Sequence, residues 1–219
     1  LSWSAVKDSL GSSTDASNIE YQIYQNGTNV AQTTSTSYSV TGLSNGTTYS
    51  FTVSAKNTST GVEGAQSGAK TVTPRYQGPK WYVAASGGKS LSDTTTNSVL
   101  GSSSSPINHL SSGIEIAAAG DTIVMMKGTH TGSNNRGINE NGNKSFIIMG
   151  DPDYSADQTI IDAGARDRHF TFDNNEDTTY QIIGLTLYNG KTTSSGGGSI
   201  KIESAAVKLK NVIFKENYS

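Results

Sequence analysis

The run Asp162-Ala163-Gly164-Ala165-Arg166-Asp167-Arg168-His169 is the chain's strongest cluster of groups that can do chemistry. Arg166 and Arg168 are suited to a carboxylate, since a guanidinium presents paired donors to it, and Asp162 is suited to a cation. The plainer reading of the same run is a charged turn between two strands, with alternating signs solvating each other. Asp151, Asp153 and Asp157 stand at positions 1, 3 and 7 of a second candidate, a Ca²⁺ loop. An EF-hand loop wants Gly at position 6 and an acid at position 12, where this chain has Ala156 and Asp162. Pro152 also stiffens its start, so a polar turn competes with the metal reading. Asp173-Asn174-Asn175-Glu176-Asp177 offers oxygens without a recognisable spacing. His109, His130 and His169 are far apart and show no His-x-x-x-His pairing, which leaves a zinc site or a nucleophilic triad without support. Ser194-Ser195-Gly196-Gly197-Gly198 lacks the Lys-Ser/Thr ending of a phosphate loop and reads as a tight turn. No complete catalytic set is visible. No cofactor is evident, and Ca²⁺ is the one candidate ion.

These residues need a scaffold, and composition says which kind. The chain has 219 residues, 24 of them Gly, and only 16% are charged, while Ser, Thr and Asn are abundant. Short polar side chains compete with the helix backbone for hydrogen bonds, so strands and turns are favoured. Val, Ile, Leu, Phe and Tyr recur in short clusters, which argues against disorder. The expectation is an all-β chain. A net charge of −2 without a basic run disfavours a nucleic-acid partner. With no Cys, a disulfide framework and a thiolate zinc site are excluded. No apolar run approaches the ~20 residues that span a bilayer. The chain opens inside a strand pattern and stops just after another, so it reads as a piece of a longer protein.

A change of repeat style near Pro74 suggests a sandwich over 1–74, a linker over 75–80 and a solenoid over 81–219. In the first segment four runs read as strands: Leu1–Val6, Ile19–Tyr24, Ser37–Val40 and Tyr49–Ala55. Asn26-Gly27 supplies a hairpin turn whose two central residues need positive φ. Another strand is expected near Lys70–Pro74. With Trp3 on the opening run, Tyr21-Gln22-Ile23-Tyr24-Gln25-Asn26-Gly27 in the middle and Leu43 to Tyr49 before the last long run, this segment resembles a fibronectin type III domain. The resemblance makes Trp3 a core residue and Tyr49 a corner residue whose hydroxyl bonds upstream backbone. It also implies that the family's first strand is missing ahead of Leu1, which opens an edge and lowers stability.

In the second segment Trp81–Ala84 reads as a strand. A helix is expected from Pro106, capped by Ser104 or Ser105, with Ile107, Leu110, Ile114 and Ala117 on one face. Beyond it, an offset of 27 lays Gln181–Leu187 over Lys208–Phe214, and an offset of 30 lays His169–Phe172 over Ser199–Ile202. Units of this size that hold short strands signal a solenoid whose coils share one core. Ile183, Leu185 and Leu187 are expected inward, with Leu185 over Val212 and Leu187 over Phe214. Trp81–Gly87, Ser103–Ile107, Ala118–Ile123, Lys127–His130, Ile183–Leu187 and Asn211–Phe214 together resemble the pectin-lyase-like right-handed parallel β-helix superfamily, especially secreted bacterial members.

Taken together the resemblances imply a bacterial extracellular or cell-surface protein. One expectation is non-catalytic: a sandwich spacer presenting a β-helix for adhesion or glycan contact, with a polysaccharide partner. The alternative is a secreted polysaccharide lyase or glycoside hydrolase, since this scaffold carries both kinds of protein. Lyase chemistry there pairs acidic Ca²⁺ ligands with an Arg that removes a proton. Asp162, Arg166 and Arg168 are the residues to examine for it.

Overall fold

The computed structural model describes residues 1–7, 18–95, 98–140, 144–173, 179–194 and 196–219. The chain divides into two compact units, Leu1–Arg75 and Tyr76–Ser219.

The first unit is built on β1 (Ile19–Gln25), β2 (Thr28–Thr33), β3 (Tyr49–Asn57) and β4 (Lys70–Val72), an antiparallel sheet in the order β2-β1-β3-β4. Asn26 and Gly27, with φ of 52° and 82°, form the turn that the Asn-Gly pair predicts. Tyr21, Ile23 and Phe51 are buried against one another's face of the sheet. The Ser44 amide donates to the Tyr49 hydroxyl at 3.0 Å, the expected corner. Two expected strands do not form. Leu1–Val6 and Ser37–Val40 meet only through an isolated bridge, Ser2 to Ser37, with the Trp3 amide donating to the Thr36 carbonyl. Conversely, β2 carries no apolar alternation and is largely exposed, so its strand state follows from the hairpin register and not from its own pattern. Trp3 is half-buried, edge-on to Tyr21 at 5.3 Å, and lines an open groove of about 300 Å³ with Val6 and Val53.

The second unit contains β5 (Lys80–Val83), α1 (Leu110–Ile116), β6 (Thr122–Met125), β7 (Gly128–His130), β8 (Ile138–Glu140), β9 (Ile147–Gly150), β10 (Thr159–Asp162), β11 (Phe170–Phe172), β12 (Thr179–Ile183), β13 (Thr186–Tyr188), β14 (Ile200–Ile202), β15 (Ala206–Lys210) and β16 (Ile213–Lys215). These strands form three parallel sheets: β5-β6-β9-β12-β15, β7-β10-β13-β16 and β8-β11-β14. The chain visits the three in rotation, so each winding lies on the one before it. That is the course of a parallel β-helix. Tyr76, within the expected linker, joins this unit: its amide donates to the Ser98 carbonyl at 2.7 Å and its ring sits 5.4 Å from that of Trp81.

Stacked side chains fill the interior as columns. Ile123, Ile148 and Ile182 lie in register and fully buried, continued by Leu209. Burying each such side chain is worth about 1.5–3 kcal/mol. Leu187 lies over Phe214 and Phe170 over Ile200, the offsets read from the sequence. One inward assignment needs correcting. Ile182 is buried and Ile183 is not, because Gly184 at φ 63° turns a corner between β12 and β13. Alternation counted back from Leu185 therefore fails across that corner.

The helix also starts later than expected. Pro106 and Ile107 are extended, and Ile107 exchanges backbone hydrogen bonds with Tyr82 and Ala84 at 2.8 Å. Helix α1 begins at Leu110, with His109 at its cap position making no side-chain cap. The Asn135 side-chain oxygen accepts from the Leu110 amide at 2.8 Å instead, so a later turn supplies the cap. At the other end the Lys144 ammonium donates to the Ile114 and Ala117 carbonyls at 2.6 and 2.9 Å. Ile107, Leu110, Ile114 and Ala117 are all buried, as their spacing predicts. Among the described residues no helix is long and apolar enough to cross a membrane.

Candidate polar cleft on the stacked turns

The turns that lead from the second sheet to the third stack on one another in successive windings. The Gly137 amide reaches the Arg168 carbonyl at 2.8 Å, Ala165 reaches Asn189 at 2.8 Å, and Lys191 reaches Asp167 at 3.0 Å. This ladder brings Arg166 beside a stretch that sequence reading did not single out. Ala165, Arg166, Asp167, Lys191, Thr192, Thr193 and Ser194 line an open cleft of about 330 Å³. Arg166, Asp167 and Lys191 are exposed. The cleft thus offers a guanidinium, an ammonium, the Asp167 carboxylate and several hydroxyls. That set suits a ligand with carboxylate and hydroxyl groups. Sequence reading had no signal for this neighbour: the register that sets Asp162 beside Tyr188, and so brings the Lys191 turn alongside, belongs to the stacked windings.

The other residues of the run take different places. Arg168 is buried, and its Nη2 donates to Thr192 Oγ1 at 2.7 Å and Ser194 Oγ at 2.9 Å. It ties together two of the residues that line the cleft. Asp162 accepts from the Gly164 amide at 2.8 Å, closing the turn beside β10. Asp167 accepts from the Arg168 amide at 2.8 Å.

His169 lies in the interior between windings. Its Nε2 sits 2.9 Å from the Ile161 carbonyl and 3.1 Å from that of Tyr188, while Nδ1 is 3.0 Å from Ser199 Oγ. Two carbonyls at Nε2 can only accept, so the proton resides there and Nδ1 accepts from the serine. Burial holds the His169 pKa below 6.5, against smaller opposing effects of the carbonyls and Asp162. His130, also buried, is lowered for the same reason. Below the ordinary value of 6.5 the unfolded chain takes up protons that the folded unit refuses. Stability is therefore expected to be flat above that value and to fall as the solution is acidified through it. Urea midpoints measured across this range, with His169→Asn reducing the slope, check it; a midpoint indifferent to acidification contradicts it.

The acidic loop after β9 is arranged as a turn. Asp151 accepts from the Lys127 amide at 3.2 Å and the Asp153 amide at 3.3 Å, and Asp157 accepts from the Ser155 hydroxyl. Asp153 and Asp157 are exposed. Among the described residues no group of three or more His, Cys, Asp or Glu side chains is placed to hold a metal ion. Residues 174–177 of the third acidic stretch, and Ser195 of the glycine-rich run, lie outside the described residues.

Comparison with known proteins covers the first unit. No curated protein and no solved structure matches the chain. Residues 1–69 match the family model described as fibronectin type III domain, so the antiparallel unit with its Asn-Gly hairpin and tyrosine corner is fibronectin type III-like.

Proposed function

We propose that this chain acts as a non-catalytic, extracellular or cell-surface protein of bacterial type. The fibronectin type III-like unit serves as a spacer, and the coiled unit, of pectin-lyase-like kind, contacts an acidic glycan. The observation that carries this reading is the cleft in which exposed Arg166 and Lys191 from successive windings flank Thr192, Thr193 and Ser194. A uronate polymer offers a carboxylate and hydroxyls at every residue, matching that set. The non-catalytic reading is supported by the duties of the other candidates: Arg168 is engaged with Thr192 and Ser194, and Asp162 with the Gly164 amide.

Affinity electrophoresis through polygalacturonate tests the proposal. The chain is expected to be retarded, and the double variant Arg166→Ala, Lys191→Ala to bind at least about tenfold more weakly, since each lost charged contact is worth ~1.5–3 kcal/mol. Both side chains are exposed, so the variant keeps the fold. Equal retardation of both proteins, or of neither, overturns the reading.

A further inference from the structure

A second cleft, one winding away from the first, has a different chemistry. It lies between α1 and β8, measures about 390 Å³, and is lined by Ser111, Ile114, Asn134, Arg136, Asn139 and Glu140 among others. Its volume is in the range of small-molecule sites. Arg136 and Glu140 are both half-buried, yet among the described residues neither side chain makes a hydrogen bond or an ion pair. Among the described residues Lys144 is the one charge that acts on Glu140, and its ammonium is engaged by the Ile114, Glu115 and Ala117 carbonyls. Burial accordingly pushes the Glu140 pKa up.

A half-buried carboxylate and a half-buried guanidinium that share a cleft without pairing are each partly desolvated and each open to a partner of opposite charge. A ligand that supplies the opposite charge to each would satisfy both. Arg136 has extended backbone, and β8 runs on to Glu140. Four residues at ~3.3 Å each set the two α-carbons no more than about 13 Å apart, and both side chains line the one cleft. A zwitterion of one to three amino-acid residues, at most ~3.6 Å each, is of a size to lie between two such side chains in a cleft of this volume.

We propose that this cleft binds a small zwitterion, an amino acid or short peptide, with its carboxylate on Arg136 and its ammonium on Glu140. Asn134 and Asn139 supply donors and acceptors for the peptide groups between, and Ile114 forms the apolar wall.

Isothermal titration of the full chain with triglycine, N-acetyl-triglycine and triglycine amide tests it. Triglycine is expected to bind, and each blocked peptide to bind at least about tenfold more weakly, because each lacks one charged contact. Glu140→Gln is expected to abolish the preference for a free amine while keeping that for a free carboxylate, and Arg136→Gln to do the reverse. A variant that fails to fold loses all binding and cannot produce this crossed pattern. Arg166→Ala, Lys191→Ala is expected to leave triglycine binding unchanged, which separates this site from the glycan cleft. No heat with triglycine at millimolar concentration, or equal binding of the three peptides, overturns the proposal.

Discussion

Replacing Phe172 with Ala is expected to destabilise the coiled unit by about 3–5 kcal/mol. The side chain is fully buried, and its ring stacks 5.6 Å from Phe170 at an interplanar angle of 13°. It also sits 4.6 Å from Tyr180, which in turn meets Phe146 edge-on at 5.1 Å. The aromatic series passes from one winding to the next, so truncation removes packing on both sides and leaves a cavity that rigid backbone ladders cannot close. Ile183→Ala is the control. That side chain is only half-buried on the outer face of β12, and its loss is expected to cost about 1 kcal/mol or less. Calorimetry that resolves the transition of the second unit distinguishes the two; equal effects would mean that the interior is assigned to the wrong face.

Gly150→Ala is expected to be nearly as damaging although it adds only a methyl group. A Cβ at that position would lie 2.0 Å from the Gly184 carbonyl oxygen and 3.3 Å from Leu185 Cβ. The obstacle is backbone of the adjacent winding, so no rotamer change relieves it. The corner between β12 and β13 has to move, at about 3 kcal/mol, the upper part of the usual range for overpacking. Gly164→Ala is the comparison: its φ is 64° and nothing lies within 4 Å. There only the left-handed backbone resists, at about 1–2 kcal/mol. A melting temperature that falls less for Gly150→Ala than for Gly164→Ala would contradict the proposed stacking of windings.

The sequence pattern made the winding legible where one coil resembles the next. Phe170 over Ile200 and Leu187 over Phe214 follow directly from the two offsets. It failed where a single residue changes the phase. Gly184 reverses the inward face between Ile182 and Leu185, and alternation has no way to register a corner. The start of α1 was missed because the cap comes from Asn135, 25 residues away, and local rules favour Ser-Pro. In the first unit, β2 is held by its turn and partner, so its polar Thr28–Thr33 run gave no signal of its own. The candidate site was half legible. Arg166 stood out as a charged residue in a turn, but Lys191 and the hydroxyls beside it become neighbours only through the stacking of windings. Arg168 has the same side-chain type as Arg166 and the opposite placement, which alternating exposure in a turn does not disclose.

The central claim is that the coiled unit holds an acidic glycan without cutting it. The most direct measurement is a titration of the chain with a defined oligogalacturonide, with and without Ca²⁺, followed by mass spectrometry of the recovered sugar. The account predicts saturable heat that disappears in the Arg166→Ala, Lys191→Ala variant, and an oligosaccharide recovered at its original mass. Shortened or unsaturated products, or the absence of any binding heat, would contradict it.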